Sequence, residues 1–206
     1  MENEIKNIIK YVNKNINKNY TIEDFPDKIN EIDWYYISKY QKLSEEFIEK
    51  YKDKLNWNLI SINQNLSEKF IEKYKDNVNW YNISVYQKLS EPFIKKYKNN
   101  VNWNCISAHQ NLSEKFIEDF IKIYESKVFW YNISIYQILS EDFIEKHKKK
   151  IDWSSISKYQ KLSESFIEKY KDYVCWKLIK EKYNLTYLDI CKRINFENNN
   201  KINLSI

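Results

Sequence analysis

The sequence predicts an all-α solenoid of two-helix repeats about 23 residues long, and three observations carry that prediction. All seven tryptophans, Trp34, Trp57, Trp80, Trp103, Trp130, Trp153 and Trp176, fall at spacings of 23, 23, 23, 27, 23 and 23 residues. The six copies that begin at Trp34 to Trp153 each carry the phrase W-x-x-I-S-x-x-Q-x-L-S-E-x-F-I with every named letter kept. Within a copy, apolar residues sit at offsets 0, 3, 9, 13, 14, 17 and 21 from the tryptophan, a helical rather than an alternating pattern.

Taken in order, residues 1–33 read as an N-terminal cap: a helix whose apolar set is Ile5, Ile8, Ile9, Val12 and Ile16, then a degenerate half-repeat from Thr21 to Asp33 interrupted by Pro26. Residues 34–175 are six helical hairpins. The first helix of a hairpin is expected to start after Asp33, Asn56, Asn79, Asn102 or Asp152, whose side chains can accept a hydrogen bond from a free amide of the first turn. Phe129 and Cys175 occupy that position in two copies and cannot cap. The second helix is expected to start at Ser44, Ser67, Ser90, Ser113, Ser140 or Ser163, each followed by a glutamate that suits the positive pole of the helix. Pro92 falls in a first turn, where its missing N–H costs nothing. Lysines gather at the opposite pole: Lys50 and Lys52, Lys73 and Lys75, Lys96 and Lys98, Lys169 and Lys171.

The fourth copy is four residues longer, between Phe116 and Val128, and Phe120 and Tyr124 continue its apolar spacing, so one added helical turn would absorb the insertion. Residues 176–193 read as a C-terminal capping repeat, in which Lys180, Tyr183 and Asp189 replace the Ser, Gln and Phe of the phrase. The Asn-rich stretch 194–206 reads as a disordered tail. No pair of helices this short buries its apolar face alone, so neighbouring copies supply the other wall and one elongated domain is expected.

Composition narrows the function. The chain has no glycine, where ordinary usage would give roughly fourteen. Phosphate-cradling loops, the dinucleotide fingerprint and the nucleophile elbow all need glycine, because their backbone takes positive φ or approaches a ligand closely. Only His109 and His147 are present, with three scattered cysteines, Cys105, Cys175 and Cys191. A non-enzymatic protein without cofactor or bound metal is therefore expected. The odd, irregular cysteines point to a reducing compartment, and the acidic start Met-Glu-Asn-Glu lacks the apolar run of a secretory signal or membrane span, so a cytoplasmic location is expected. A net charge of +5 with Lys and Glu interleaved does not by itself demand a nucleic-acid partner.

Candidate functional positions are those that the phrase leaves open. At offsets 1 and 6 the copies read Tyr35 and Tyr40, Asn58 and Asn63, Tyr81 and Tyr86, Asn104 and His109, Tyr131 and Tyr136, Ser154 and Tyr159. The alternation of large and small supports two readings: volume complementarity between neighbouring copies, or a row of aromatic anchors on an exposed face that binds another protein. On the second reading the binding residues are Tyr35, Tyr40, Tyr81, Tyr86, His109, Tyr131, Tyr136 and Tyr159.

The repeated Gln41, Gln64, Gln87, Gln110, Gln137 and Gln160, with their serines from Ser38 to Ser157, read as a buried ladder between copies in preference to a polar ligand track. Cys105 and His109 stand four apart, but two ligands do not hold a metal. His147 replaces a tyrosine at offset 17 and reads as a packed side chain. The run Lys146 to Lys150 reads as a solvated helix end.

The phrase, as in Trp34 to Ile48 and Trp153 to Ile167, resembles short tandem repeats of uncharacterised proteins of large DNA viruses and phages, over roughly residues 21–190. That resemblance implies a viral repeat protein, placed in the host cytoplasm, and transfers no site residue. The function expected is a scaffold for protein–protein interaction, with a host factor as partner. Two alternatives are binding of nucleic acid or nucleotide through the Lys stripe, and structural self-association.

Overall fold

The computed structural model describes residues 1–124, 129–184 and 189, apart from the side chains of Ile123 and Tyr124. Among them are fourteen α-helices and no strand. The helix α1 (Glu2–Ile16) leads into a series of first helices, each opening a copy: α2 (Glu31–Tyr40), α4 (Trp57–Asn63), α6 (Trp80–Tyr86), α8 (Trp103–His109), α10 (Trp130–Tyr136), α12 (Trp153–Tyr159) and α14 (Trp176–Tyr183). Second helices alternate with them: α3 (Glu45–Lys50), α5 (Glu68–Lys73), α7 (Glu91–Lys96), α9 (Glu114–Tyr124), α11 (Glu141–Lys146) and α13 (Glu164–Lys169). The architecture is a tandem helical-repeat solenoid. It forms two compact units, Met1–Cys105 and Ile106–Ile206. In the first, α1 packs on α2, α2 on α4 and α4 on α6; in the second, α10 packs on α12 and α12 on α14.

Six-residue helices have little stability of their own, so what fixes them is the set of bonds between copies. The polar letters of the repeat make those bonds, and the apolar letters fill the core beside them. The isoleucines at offsets 3 and 14 are the most buried aliphatic residues of their copies, as Ile60, Ile71, Ile83 and Ile94 show. The first-helix serine donates back to the tryptophan carbonyl, as Ser61 does to Trp57 at 2.7 Å, and accepts the N–H of the next copy's cap residue, Asn79, at 3.0 Å. The glutamine caps the preceding first helix. Gln64 Nε2 donates to the carbonyls of Ser38 (3.3 Å) and Gln41 (2.7 Å), and its Oε1 accepts the Leu43 N–H at 2.8 Å. Those carbonyls belong to a helix C-terminus with no partner of its own along the chain. The ladder thus runs from carboxamide to main chain, and the same three bonds recur at Gln137 and Gln160.

Second helices are joined through their N-termini. Ser67 Oγ accepts the Phe70 N–H at 3.2 Å, the expected cap, and donates to Glu45 of the preceding copy at 3.2 Å while its N–H reaches the same carboxylate at 2.6 Å. All six predicted second-helix serines accept the amide of the residue three positions on. Helix α1 substitutes for a missing earlier second helix, because Glu4 receives the Ser44 N–H at 2.7 Å and Oγ at 2.8 Å.

The start of α2 differs from expectation. Asp33 is not its N-cap: the helix begins at Glu31, Asn30 caps it by accepting the Asp33 N–H at 2.9 Å, and Asp33 closes a capping box while accepting the Tyr20 hydroxyl at 2.7 Å. Asn56, Asn79 and Asp152 do cap as expected, Asn102 Oδ1 accepts the Cys105 N–H at 3.0 Å, and Phe129 and Cys175 make no cap bond. The insertion lengthens α9 to eleven residues against six in the other second helices, with residues 125–128 outside the described set. The Asn-rich stretch 194–206 also lies outside it.

First helices end at a glutamine in extended conformation, φ −97° and ψ 151° at Gln64, so the chain turns without positive φ. That is how the repeat dispenses with glycine. Among the described residues the left-handed region is entered only at Asn17 and Asn184, both helix C-caps.

Candidate functional site

What remains after the repeat bonds are assigned is the outer side of the first helices. The tyrosines singled out at offsets 1 and 6 all lie there: Tyr35, Tyr40, Tyr81, Tyr86, Tyr131, Tyr136 and Tyr159 are between 43% and 62% exposed, and His109 is exposed as well. The small residues at these offsets, Asn58, Asn63, Asn104 and Ser154, are exposed too; Asn58 accepts from Asn79 Nδ2 of the next copy at 2.9 Å, whereas Asn63 donates to the Leu59 carbonyl of its own helix at 3.0 Å. Packing and exposure combine at Tyr81. Its ring stands in solvent while its hydroxyl lies near the buried Cys105; the electrostatic influence of Cys105 pushes the phenol above its ordinary range, and burial pushes the thiol up.

On α2 the tyrosines form a cluster with Tyr36, which stacks on Tyr40 (6.0 Å between centroids) and meets Tyr35 edge-on at 5.7 Å. The ammonium of Lys39 lies 4.9 Å from the Tyr40 ring centre. Tyr36, half-buried, belongs to this cluster although the alternation at offsets 1 and 6 did not point to it, since it occupies offset 2. Exposed apolar residues outside the predicted offsets include Ile138 at 94%, Ile32 at 66%, Tyr173 at 53% and Phe129 at 41%. The signal was present: Ile138 occupies an offset held elsewhere by Lys42, Asn65, Lys88, Asn111 and Lys161, and Phe129 a position held mostly by capping Asn or Asp.

The lysines at helix C-termini are used within the fold. Lys73 pairs with Glu49 and Lys96 with Glu72, while Lys146 meets Glu118 at 2.6 Å and Lys169 meets Glu145 at 2.7 Å, each pair joining adjacent copies. The lysine beside each of Glu49, Glu72, Glu118 and Glu145 holds that carboxyl below its ordinary range. Lys73, Lys96 and Lys169 also lie over Tyr74, Tyr97 and Tyr170. The backbone of this region is engaged too, since Lys52, Lys75, Lys148 and Lys171 accept the indole N–H of the next tryptophan at 2.9 to 3.0 Å.

Trp34 departs from this pattern. It lines a cleft of about 500 Å³ with Ile29, Tyr35 and Leu55, and its buried indole nitrogen has no hydrogen-bond partner. His147 packs between Trp130 and Phe143, with ring centres at 5.1 and 4.5 Å, as the packed side chain expected. Cys105 is buried and His109 exposed, and among the described residues no three His, Cys, Asp or Glu side chains converge as a metal site. No helix among them is long and apolar enough to cross a membrane.

Comparison with protein-family models, with curated proteins and with solved structures finds no match for this chain.

Proposed function

We propose that the protein is a non-enzymatic repeat scaffold whose first-helix face binds another protein. One observation carries the reading. The polar letters common to all six copies are used in repeat hydrogen bonds and the apolar ones mostly in the core, whereas the tyrosines at the variable offsets are half exposed and are not needed to complete those bonds. A tyrosine offers a rigid apolar ring and a hydroxyl at small entropic cost, which is why it is enriched where proteins meet. The regular solenoid supports this role by presenting such side chains on a fixed frame. A viral origin and a host factor as partner follow from the resemblance of the repeat phrase and belong to the proposal.

The test is capture of partners from lysate of the natural host, with nuclease-treated and untreated arms, using the native chain and a variant with Tyr81→Ala, Tyr86→Ala, Tyr131→Ala and Tyr136→Ala. A protein retained after nuclease and salt by the native chain, and lost from the variant, is expected. Capture confined to the untreated arm, or equal capture by the variant, would overturn the reading.

A further inference from the structure

Thirty positions of the six first-helix segments, at offsets 1, 2, 5, 6 and 8 of each copy, lie outside the common letters. They hold eight tyrosines and five lysines and no aspartate or glutamate, although a proportional share of the chain's 29 carboxylates would be about four. Stacking does not explain the absence, because many of these positions face solvent. Helix electrostatics would favour the opposite, since offset 1 falls in a first turn where a carboxylate is stabilising. Carboxylates in the repeats are instead kept to the second helices, the turns that follow them and the cap positions, as Glu45, Asp53 and Asp152 illustrate.

The bias is combined with apolar exposure at one place in the second unit, where α10 and α12 lie side by side. Tyr131 and Tyr136 stand out from α10, and Ile138 follows them with 94% of its surface in water. On the first-helix segment of the neighbouring copy, Ser154, Lys158, Tyr159 and Lys161 are exposed. A fully exposed isoleucine where other copies carry Lys or Asn gains nothing in the isolated chain, and burying it would contribute roughly 1.5 to 3 kcal/mol.

We infer that the α10–α12 face docks an acidic segment of a partner protein, whose apolar side chain covers Ile138 and the tyrosines while flanking carboxylates meet Lys158 and Lys161. The inference rests on the protein-binding reading above and names the chemistry of the partner. Charge complementarity selects an acidic ligand, and Ile138 selects a polypeptide over a nucleic acid. A single strand would call for a cation near successive phosphates, and this face offers two lysines and no arginine. An aliphatic contact flanked by carboxylates uses every group present.

A displayed library of random twelve-residue peptides selected on the intact chain tests this, with a twenty-nucleotide oligothymidine as the second probe. Enriched peptides should carry several-fold more Asp and Glu than Lys and Arg, together with an aliphatic or aromatic residue. The best of them should bind about ten-fold more weakly to Ile138→Ser and to a Lys158→Glu, Lys161→Glu variant, with the melting temperature of each variant unchanged. Neutral or basic winners, no enrichment, or tighter binding of the oligothymidine at the same ionic strength would overturn the inference. Neutral or basic winners that still require Tyr131 and Tyr136 would leave the protein-binding reading standing. So would a lysate partner captured through Tyr81 and Tyr86 when no peptide is enriched.

Discussion

The Tyr183 hydroxyl accepts the Leu162 N–H at 2.8 Å, the bond that a glutamine Oε1 makes in earlier copies. The same hydroxyl donates to the Gln160 carbonyl at 3.3 Å, and the Lys182 ammonium reaches that carbonyl as well. A phenol and an ammonium together thus supply the acceptor and donors that a carboxamide supplies elsewhere. Tyr183→Phe should leave Leu162 N–H without its acceptor and cost about 1 to 3 kcal/mol locally. Faster hydrogen exchange at Leu162, with little change at Leu43, is the expected readout.

Gln64→Ala should cost more. It removes one acceptor and two donors at once and leaves the Leu43 N–H and the Ser38 and Gln41 carbonyls unpaired. With each buried unpaired group costing about 1 to 3 kcal/mol, a loss of at least about 3 kcal/mol is expected on chemical denaturation. Gln64→Glu retains the acceptor but sets a negative charge against two carbonyls, so it should not rescue; a Glu variant as stable as the native chain would contradict the ladder.

The two aromatic positions that open and close the hairpin are not equivalent. Phe93 is 6% exposed, whereas Trp80 is half-buried and donates its indole N–H to the Lys75 carbonyl at 2.9 Å. Phe93→Ala should therefore cost about 3 to 5 kcal/mol, and Trp80→Ala less. Because the repeat bonds join adjacent copies, exchange protection should fall first in α5 to α7 and least in α1. Equal loss at every amide would show tight coupling along the first unit.

His147 stands where Tyr74, Tyr97 and Tyr170 stand in other copies, and burial holds its imidazole below the ordinary value of about 6.5, against the opposing pull of Glu118. The folded state favours neutral His147, so its stabilisation is complete above the unfolded pKa and is lost as pH falls through the folded one. His147→Tyr should remove this component. Melting curves at pH 7.5 and 5.0 should show a smaller drop for the variant than for the native chain; equal drops would mean that His147 does not contribute.

Much of the fold was legible because the repeat displays its own invariants. The Ser and Gln positions, the six second-helix caps and the missing caps at Phe129 and Cys175 could all be read from spacing and side-chain chemistry. The start of α2 was not, because Asp33 looks like the other caps in sequence; only the preceding Asn30 and the Tyr20 hydroxyl reveal that it has moved inside the helix. The candidate surface was half legible. Offsets 1 and 6 marked the tyrosines, but whether a ring faces a neighbour or water depends on how close adjacent first helices approach, which no periodicity encodes. Tyr36 lies at offset 2, outside the alternating positions, and Ile138 lies at offset 8, where the Lys and Asn of the other copies lead one to expect a polar residue.

The glutamine bonds have a direction: Gln64 reaches back to Ser38 and Gln41, and Gln160 back to Ser134 and Gln137. A chain leaving the ribosome N-terminus first therefore completes each hairpin with the one synthesised just after it. Within each unit a copy keeps its first-helix C-terminus open until the next copy is made, and Glu4 in α1 receives the first of the second helices. Assembly of this kind is vectorial, and at the last described first helix Tyr183 and Lys182 make toward Leu162 and Gln160 the bonds that a glutamine makes elsewhere.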